Sequence, residues 1–427
     1  MRSRKTLLVC SLLLASAGFA ALSLTRGQEG SPVPQIKSVL PQVESPAPEP
    51  RRPARDPTGL PPLQQQMYLC AQRGGDWLRR ANRPDGRFLS GYVPALKTPL
   101  EGDHYLRQAG AAFALARLAT FLGDERSIAV ARQALLTLLL DTVLDPDDAN
   151  IRHTSLPALV VNRLGAAALL VMGINELPDP GEDLLQQSEQ LCAFLRKQQA
   201  ADGSLTCADA GMQSDVDPEA INFYPGEALY ALLRSQRYRP APWKIEAVRK
   251  AAPFYLAWWR GHQNPAFVPW QTAAWVDAYM LTKEQRFADF VYEMNDWLGR
   301  LQYQQIDPRH PLWIGGFMEW TDNKAVSAAP NVLSACYAEG LAEAWRLSRE
   351  TGDSARQQRY REALERSLQF LTTLQYTEGN TQHFADWYRP ALLGAFHASH
   401  QDGNVRLDYA QHALCALVQY MRYALDG

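Results

Sequence analysis

The connections between apolar segments constrain the fold of this chain most strongly. After the first sixty residues the sequence reads as helices in pairs, and short turns such as Gly123–Glu125 and Thr351–Asp353 join the two members of a pair. Turns of this kind are typical of αα-hairpins. Long loops rich in Gly, Asp, Asn and Pro connect one pair to the next. These loops span residues 84–101, 145–156, 200–223, 306–329 and 377–404.

The helical segments fall into two classes that alternate along the chain. Segment 287–301 carries an apolar stripe, in which Phe287, Phe290 and Val291 alternate with polar residues, so one of its faces should contact water. Segment 109–122 is apolar on nearly all sides and should be buried. About six segments of each class alternate, which predicts an all-α (α/α)6 barrel of inner and outer helices. The long loops would then lie on the face where the inner helices begin.

The N-terminal part of the chain has a different character. Three basic residues precede an apolar run from Leu7 to Leu24, which predicts a secretory signal or an uncleaved membrane anchor over residues 1–26. Residues 27–62 are rich in Pro, Glu, Ser and Arg, and should form a disordered tether. Residues 63–427 would form the toroid domain. We therefore expect export to the periplasm or another extracytoplasmic location, with attachment to the inner membrane if the segment is not cleaved.

Composition and motifs exclude several classes of partner. The formal net charge is −2, without the basic excess of a nucleic-acid-binding protein. The His397-x-x-His400 pair lacks a matching carboxylate pair, so we expect no metal, and no cofactor motif is present. The five cysteines after residue 26 are odd in number and have no paired spacing, so no disulfide is assigned. We expect a monomer.

Each inner helix begins with polar side chains, although the rest of the helix is apolar. A buried polar group without a partner costs about 1–3 kcal/mol. These groups should therefore either cap helices and pair with each other, or line a wet funnel where six helix N-termini converge. The candidate substrate-binding residues are Asp103, Arg107, Gln108, Asn162, Arg163, Tyr224, Trp270, Gln271, Asn331, Trp387, Asp408 and His412.

Three carboxylates on inner helices are the candidate catalytic residues: Asp277, Glu339 and Glu227. A glycosidase needs one protonated carboxyl group and one ionised carboxylate on opposite faces of the sugar. Apolar neighbours such as Trp275 and Tyr337 would raise the pKa of one of these carboxyl groups. Exposed aromatic side chains in the long loops would suit the CH faces of sugar rings.

Three short motifs resemble the six-hairpin glycosidase and epimerase superfamily, with some likeness to the helical domain of glucuronyl C5-epimerases. They are Asn222–Glu227 at the start of an inner helix, Gly315–Phe317 in a loop, and Ala338–Leu341 on the following helix. The resemblance covers most of the chain from Gln64 to Leu425. It implies a carbohydrate ligand and carboxylate catalysis, by a glycoside hydrolase or sugar epimerase acting on a polysaccharide.

Two other classes of function remain open. Asp145–Asp148 matches the Asp-x-Asp-Asp pattern of class II terpene cyclases, and Gln198 to Leu205 approaches the Gln…Gly-x-Trp repeat of those toroids, with Leu in place of Trp. This would indicate an isoprenoid lipid substrate. The third class is a non-catalytic glycan-binding protein of the cell envelope, because no motif in the chain has the specificity of a nucleophile elbow or a metal-ligand set.

Overall fold

The computed structural model of the protein describes residues 56–155, 162–207 and 218–425. The predicted leader and most of the predicted tether lie outside these residues, so the boundaries of both segments stay predictions. Within the described ranges, no helix is both long enough and apolar enough to cross a membrane.

The outer helices bury one side and expose the other. In the segment predicted to carry a stripe, Phe287, Phe290 and Val291 are buried, whereas Arg286 and Asp289 are exposed. In the described part of the chain the six outer helices are α1 (Pro62–Ala81), α3 (Glu125–Leu139), α5 (Glu182–Lys197), α7 (Pro242–Gly261), α9 (Gln285–Leu298) and α11 (Ser354–Thr373).

The inner helices are buried on nearly all sides, as their composition predicts. Every residue from Leu164 to Glu176 is buried. Among the described residues the six inner helices are α2 (Tyr105–Leu122), α4 (Arg163–Glu176), α6 (Tyr224–Ser235), α8 (Val268–Thr282), α10 (Ser334–Glu350) and α13 (Leu407–Leu425).

The inner helices form a closed ring. Each one packs against the next, from α2 through α4, α6, α8 and α10 to α13, and α13 returns to α2. The first outer helix, α1, packs against both α13 and α2 and so covers the seam between the two ends of the chain. The predicted (α/α)6 barrel is therefore confirmed.

The short turns within the hairpins end one helix and begin the next after two to six residues. Gly123 follows α2 with a φ of 68°, and Asp124 caps α3 by accepting a hydrogen bond from a backbone amide of that helix. Gly352 and Asp353 do the same between α10 and α11. Positive φ favours glycine, and an Asp side chain satisfies an otherwise unpaired amide. These turns reverse the chain without a long loop.

The loops that lead from outer to inner helices carry short strands and the one-turn helix α12 (Arg389–Leu392). The strands are β1 (Gly91–Val93), β2 (Thr98–Pro99), β3 (Thr142–Leu144), β4 (Arg152–Thr154), β5 (Glu319–Thr321), β6 (Lys324–Val326) and β7 (Val405–Arg406). All pairings are antiparallel: β1 pairs with β2 and β7, β3 with β4, and β5 with β6. The pairing of β1 with β7 joins the first long loop to the last. Since these loops precede inner helices, they surround the N-terminal face of the ring.

A local structure recurs after four of the outer helices. An amide residue at the helix end forms a β-bridge with an apolar residue, which stands two positions after a glycine of positive φ. The sequence suggests this pattern only once, at 199–205. In the described residues it consists of Asn82, Gly86 and Phe88; Gln199, Gly203 and Leu205; Gln302, Gly315 and Phe317; and Gln375, Gly394 and Phe396.

We expect Gly203→Ala to destabilise the fold by more than about 2 kcal/mol. The φ of Gly203 is 93°, and a Cβ atom there would lie 2.1 Å from the Lys250 carbonyl oxygen in α7. The left-handed backbone alone costs about 1–2 kcal/mol for Ala, and the clash adds to that cost. Urea denaturation measures the loss.

Gly352→Ala is the matched control for this substitution. The φ of Gly352 is 71°, but a Cβ atom there meets nothing within 4 Å. Only the backbone contribution should remain, so the loss should be about 1 kcal/mol. Equal losses at Gly352 and Gly203 would contradict the close packing of this loop against α7.

Candidate active site

Three titratable side chains meet at the N-terminal ends of the inner helices. Glu227 lies in the first turn of α6, Glu339 in the second turn of α10 and His412 in the second turn of α13. The His412 Nδ1 atom is 2.6 Å from the Glu339 Oε1 atom. The charges of both residues act on Glu227. The structure thus brings two of the predicted catalytic carboxylates together with one predicted binding residue.

Burial sets the protonation of this cluster. Glu227 and Glu339 are 7% and 6% exposed. Burial raises the pKa of Glu227 to about 8; the negative charge of Glu339 adds to this effect and His412 opposes it. Burial also raises the pKa of Glu339, against the charge and hydrogen bond of His412. Glu227 therefore holds a proton at neutral pH.

His412 responds in the opposite way to its neighbours. Burial lowers the pKa of the imidazole, but Cys336 and Glu339 outweigh that effect and raise the pKa well above its ordinary value. The side chain remains 20% exposed. A charged imidazole paired with a carboxylate beside a neutral carboxyl group can both donate and accept protons.

An aromatic wall borders the cluster. The Trp270 ring is 6.2 Å from the His412 ring, and it also packs against Phe113 at 6.5 Å and Tyr230 at 6.3 Å, between ring centroids. A Cβ atom on Gly226 would lie 2.7 Å from the Trp270 Cβ atom, so the glycine allows α6 and α8 to approach closely. Trp270 is only 6% exposed and the other two rings are buried as well, so the wall surrounds the cluster with apolar side chains.

Charged residues around the starts of α2 and α13 form ion pairs. Asp408 accepts a hydrogen bond from Arg406 at 3.0 Å and lies 3.7 Å from Arg107. Burial would raise the pKa of Asp408, but these arginines outweigh it and lower the pKa, so the group is an ionised carboxylate. Asp103 pairs with Arg87 at 2.6 Å.

Three predicted binding residues hold backbone in place, as the capping interpretation expects. Gln108 bonds the backbone N–H and carbonyl of Phe88 at 2.7 and 2.8 Å. Asn162 caps α4 by accepting an amide hydrogen bond at 3.1 Å. Asn331 accepts one from the amide two residues later at 2.9 Å. We therefore assign these side chains to the framework of the loops.

The other predicted binding residues differ in exposure. Arg163 and Tyr224 are half-buried at the first positions of α4 and α6. Gln271 is fully buried, and neither of its polar side-chain atoms has a hydrogen-bond partner within the described residues. Trp387 is 71% exposed in the last long loop, where it contacts Tyr388. Trp387 is thus accessible to a ligand and Gln271 is not.

Asp277 belongs to a different cluster from Glu227 and Glu339. It lies in the second half of α8, 2.8 Å from Arg346 and 3.7 Å from Arg234. Both arginines stand near the C-terminal ends of their helices. The catalytic role of Asp277 stays a prediction, and the structure places the residue away from the paired Glu339 and His412.

This second cluster forms a ring of ion pairs and hydrogen bonds across all six inner helices. Arg117 and Glu176 are buried and pair at 2.8 Å. Although burial favours the neutral acid, Arg117 and its neighbouring arginines hold the pKa of Glu176 well below its usual range. The ring continues through Glu176–Arg234, Arg234–Asp277, Asp277–Arg346, Arg346–Glu343, Glu343–Tyr423 and Arg422–Glu176. Of this set, only Asp277 was predicted from the sequence.

The acidic motif shared with terpene cyclases forms a surface turn. Asp145–Asp148 connects β3 to β4, and its last three residues are exposed. Asp145 pairs with Lys197 at 2.7 Å. A cyclase needs a protonated acid, but hydrogen bonds from Lys197 and from the Asp147 amide lower the pKa of Asp145. This geometry does not support the cyclase interpretation.

The described residues contain no group of three or more His, Cys, Asp or Glu side chains that could hold a metal ion. Their five cysteines are all free thiols.

Solved structures with the same architecture include three sugar-processing enzymes. A D-mannose isomerase shares 12% identity and a TM-score of 0.60, over 84% of this chain and 99% of the other. Cellobiose 2-epimerase from Bacillus thermoamylovorans shares 9% and 0.59, over 84% and 99%. Unsaturated glucuronyl hydrolase from Bacillus sp. GL1 shares 14% and 0.59, over 85% and 97%.

No profile of a known protein family matches the sequence, and no curated protein matches it. The structural likeness extends over nearly the whole length of each of these enzymes, and all of them are (α/α)6 toroids. The chain therefore has the (α/α)6 toroid fold of the sugar isomerases, epimerases and glycoside hydrolases to which it is similar.

Proposed function

We propose that the protein is an enzyme that exchanges protons with a bound sugar, through Glu227, Glu339 and His412. The observation that carries this proposal is the 2.6 Å pair of Glu339 and His412 beside a carboxyl group that stays neutral at pH 7. The likeness of the fold to carbohydrate-processing enzymes supports the choice of substrate class. Fold alone does not establish an activity.

Isomerisation or epimerisation suits this arrangement best. Either reaction removes a proton from the carbon beside a carbonyl group and returns one to the sugar. His412 would act as the base through its Nε2 atom once that atom has released its proton to solvent, and Glu339 would hold the ring in place through Nδ1. Glu227 would donate a proton to the carbonyl oxygen. Trp270 would help to hold the His412 ring in place from the side.

Hydrolysis of a glycosidic bond is the second candidate. Its specific support is the raised pKa of Glu227, about 8, because a glycosidase needs a carboxylic acid that is still protonated near neutral pH. Hydrolysis also needs a second, available carboxylate. Glu339 is already hydrogen-bonded to His412, and Asp408 is already hydrogen-bonded to Arg406. We therefore rank hydrolysis below proton transfer at carbon.

The cellular setting is part of the same proposal. The basic residues and apolar run at the N-terminus indicate an exported protein on a Pro-rich tether. We propose that it acts as a monomer outside the cytoplasm on an envelope or extracellular glycan.

The direct test is a substrate panel for the full-length protein. D-mannose, cellobiose and an unsaturated glucuronyl disaccharide represent the substrates that the similar enzymes are named for. Proton NMR detects new sugar isomers, and a reducing-end assay detects hydrolysis. New isomers support the first candidate and cleavage the second. Binding without turnover would favour a glycan-binding protein and contradict both.

Glu227 should make stability depend on pH in a defined direction. Its pKa is raised from 4.5 to about 8 in the folded state, so the folded protein retains a proton that the unfolded chain releases. The stabilisation is present below pH 4.5 and is lost as the pH rises through about 8. We expect the free energy of unfolding of the wild type, relative to that of Glu227→Gln, to fall by roughly 2–4 kcal/mol between pH 4.5 and 8.5.

The comparison between the two proteins cancels the titration of the groups that do not interact with Glu227; Glu339 and His412, whose charges act on it, are the exceptions. Guanidinium denaturation at both pH values provides the measurement. A difference between wild type and Glu227→Gln that is the same at both pH values would show that Glu227 is already ionised in the folded protein at neutral pH.

A further inference from the structure

One oxygen of the Glu227 carboxyl group is enclosed where α4 packs against α6. A Cβ atom added to Gly165, the third residue of α4, would lie 3.0 Å from the Glu227 Oε2 atom. The same Cβ position is 2.5 Å from Cδ1 and 2.9 Å from Cε1 of the Tyr224 ring. Because all three distances start from one point, the ring edge and Oε2 lie side by side against the Gly165 backbone.

The absence of a side chain at Gly165 makes this arrangement possible. A Cβ atom there would collide with the Tyr224 ring, so any larger residue would push the ring aside. Tyr224 and Glu227 stand three residues apart on α6, and their side chains therefore share one face of that helix. Tyr224 is one turn closer to the start of α6, and so to the end of the barrel that the long loops surround.

The enclosed oxygen has no group that could stabilise a charge on it. Oε2 of Glu227 is buried and has no hydrogen-bond partner within the described residues. An ionised carboxylate needs hydrogen bonds at both of its oxygens, and a buried oxygen without a partner favours the neutral acid. The half-buried Tyr224 ring helps to keep water, the remaining source of such a bond, from this atom.

We propose that Tyr224 is a positioning residue for Glu227: its ring, seated on Gly165, keeps water from Oε2 and leaves only Oε1 to meet a ligand. Tyr224 thus acts through Glu227, which remains the group that gives up the proton. The role of Glu227 as an acid toward a sugar rests on the proposed function, but the shielding of its carboxyl group does not.

The other groups that act on Glu227 lie on other elements and stay in place when Tyr224 is changed. Glu339 on α10 raises the pKa of Glu227, and His412 on α13 lowers it. The Cys207 thiol also interacts with Glu227, but burial raises the pKa of this thiol to about 12, so it is neutral over the range in which Glu227 titrates. The α4 residue that faces the carboxyl group, Gly165, carries no charge.

Infrared spectroscopy of the full-length protein as a function of pH tests this role. The carbonyl band of protonated Glu227 is the band that Glu227→Gln loses, and that substitution is repeated in each variant. In the wild type we expect the band to lose half of its intensity near pH 8. In Tyr224→Ala the midpoint should fall by at least about one pH unit, a tenfold change in ionisation, because water can then reach Oε2.

Two further variants are the controls. Tyr224→Phe keeps the ring, so its midpoint should stay within about 0.3 pH unit of the wild-type value. Tyr92→Ala removes a tyrosine ring from another half-buried position in the loops, where Tyr92 packs against Tyr388 at 6.2 Å. Its midpoint should also be unchanged. Circular dichroism shows whether each variant is folded, and Tyr224→Leu provides the same comparison if Tyr224→Ala does not fold.

An unchanged midpoint in Tyr224→Ala, or an equal fall in Tyr224→Phe or Tyr92→Ala, would overturn the proposal. A midpoint that falls in Tyr224→Ala alone, in a protein that converts no sugar, would sustain the role of Tyr224 and leave only the proposed function refuted.

Discussion

His412→Asn should lower kcat/KM for the sugar substrate by about 10²- to 10⁴-fold, the range associated with loss of a general acid or base. The substituted amide cannot exchange a proton with the sugar or with Glu339. The fold should survive, because Glu339 already has a raised pKa and can become neutral when its partner is lost. Steady-state kinetics on the substrate found by the panel provide the measurement.

A matched histidine provides the control. His400 lies in the last long loop, where it hydrogen-bonds to Thr373 at 2.9 Å and not to any residue of the cluster. His400→Asn should leave kcat/KM within about twofold of wild type. If His412→Asn retained more than a third of the wild-type value, the imidazole would not be an acid or base in the reaction.

Arg117→Met should destabilise the protein by about 3–5 kcal/mol, the usual cost of removing one partner of a buried ion pair. Arg117 and Glu176 are 2% and 1% exposed, and Arg117 also donates to the Tyr230 hydroxyl at 2.9 Å. The substitution leaves Glu176 buried with less positive charge around it. Guanidinium denaturation measures the loss.

An exposed pair on the outer helices is the control for this substitution. Arg260 and Glu293 lie 2.8 Å apart, but 61% and 33% of their side chains are exposed. Surface pairs contribute little, so Arg260→Met should cost less than about 1 kcal/mol. A loss at Arg117 as small as the loss at Arg260 would show that the buried ring does not hold the inner helices together.

The two polar clusters lie at opposite ends of the inner helices and should have different functions. The ion-pair ring joins the inner helices near their C-terminal ends, and the cluster of Glu227, Glu339 and His412 lies at their N-terminal ends. The clusters are also connected, because the Arg117 guanidinium lies 4.4 Å from the centre of the Phe113 ring and Phe113 contacts Trp270. Stability should therefore be more sensitive to the first cluster, and turnover to the second.

The barrel could be predicted because its signals are local. A short stretch of neighbouring residues is enough to predict the apolar stripe of α9 and the complete burial of α4. Turns such as Gly123–Asp124 mark the helix ends. The recurrent glycine structure was recognised only at Gly203. Loop insertions separate Gln302 from Gly315 and Gln375 from Gly394, and the copy with the same short spacing as Gly203 has Asn82 in place of the Gln.

The candidate site could be predicted only in part. Polar residues on apolar helices pointed to Glu339 and His412, but these lie 73 residues apart, and the sequence carries no signal that they pair. The same limit applies to Asp277 and Arg346, which are 69 residues apart. The position of a residue along its inner helix separates the two clusters. Asp277 lies in the second half of α8, whereas Glu227 is in the first turn of α6.

Solvent isotope exchange tests the central claim most directly. The full-length protein is incubated in D2O with each sugar of the panel, and deuterium on carbon is read by NMR and mass spectrometry. We expect one deuterium at the carbon beside the carbonyl group for the wild type, and little or none for His412→Asn. A sugar converted without deuterium on carbon, or equal exchange by the two proteins, would contradict proton transfer through this histidine.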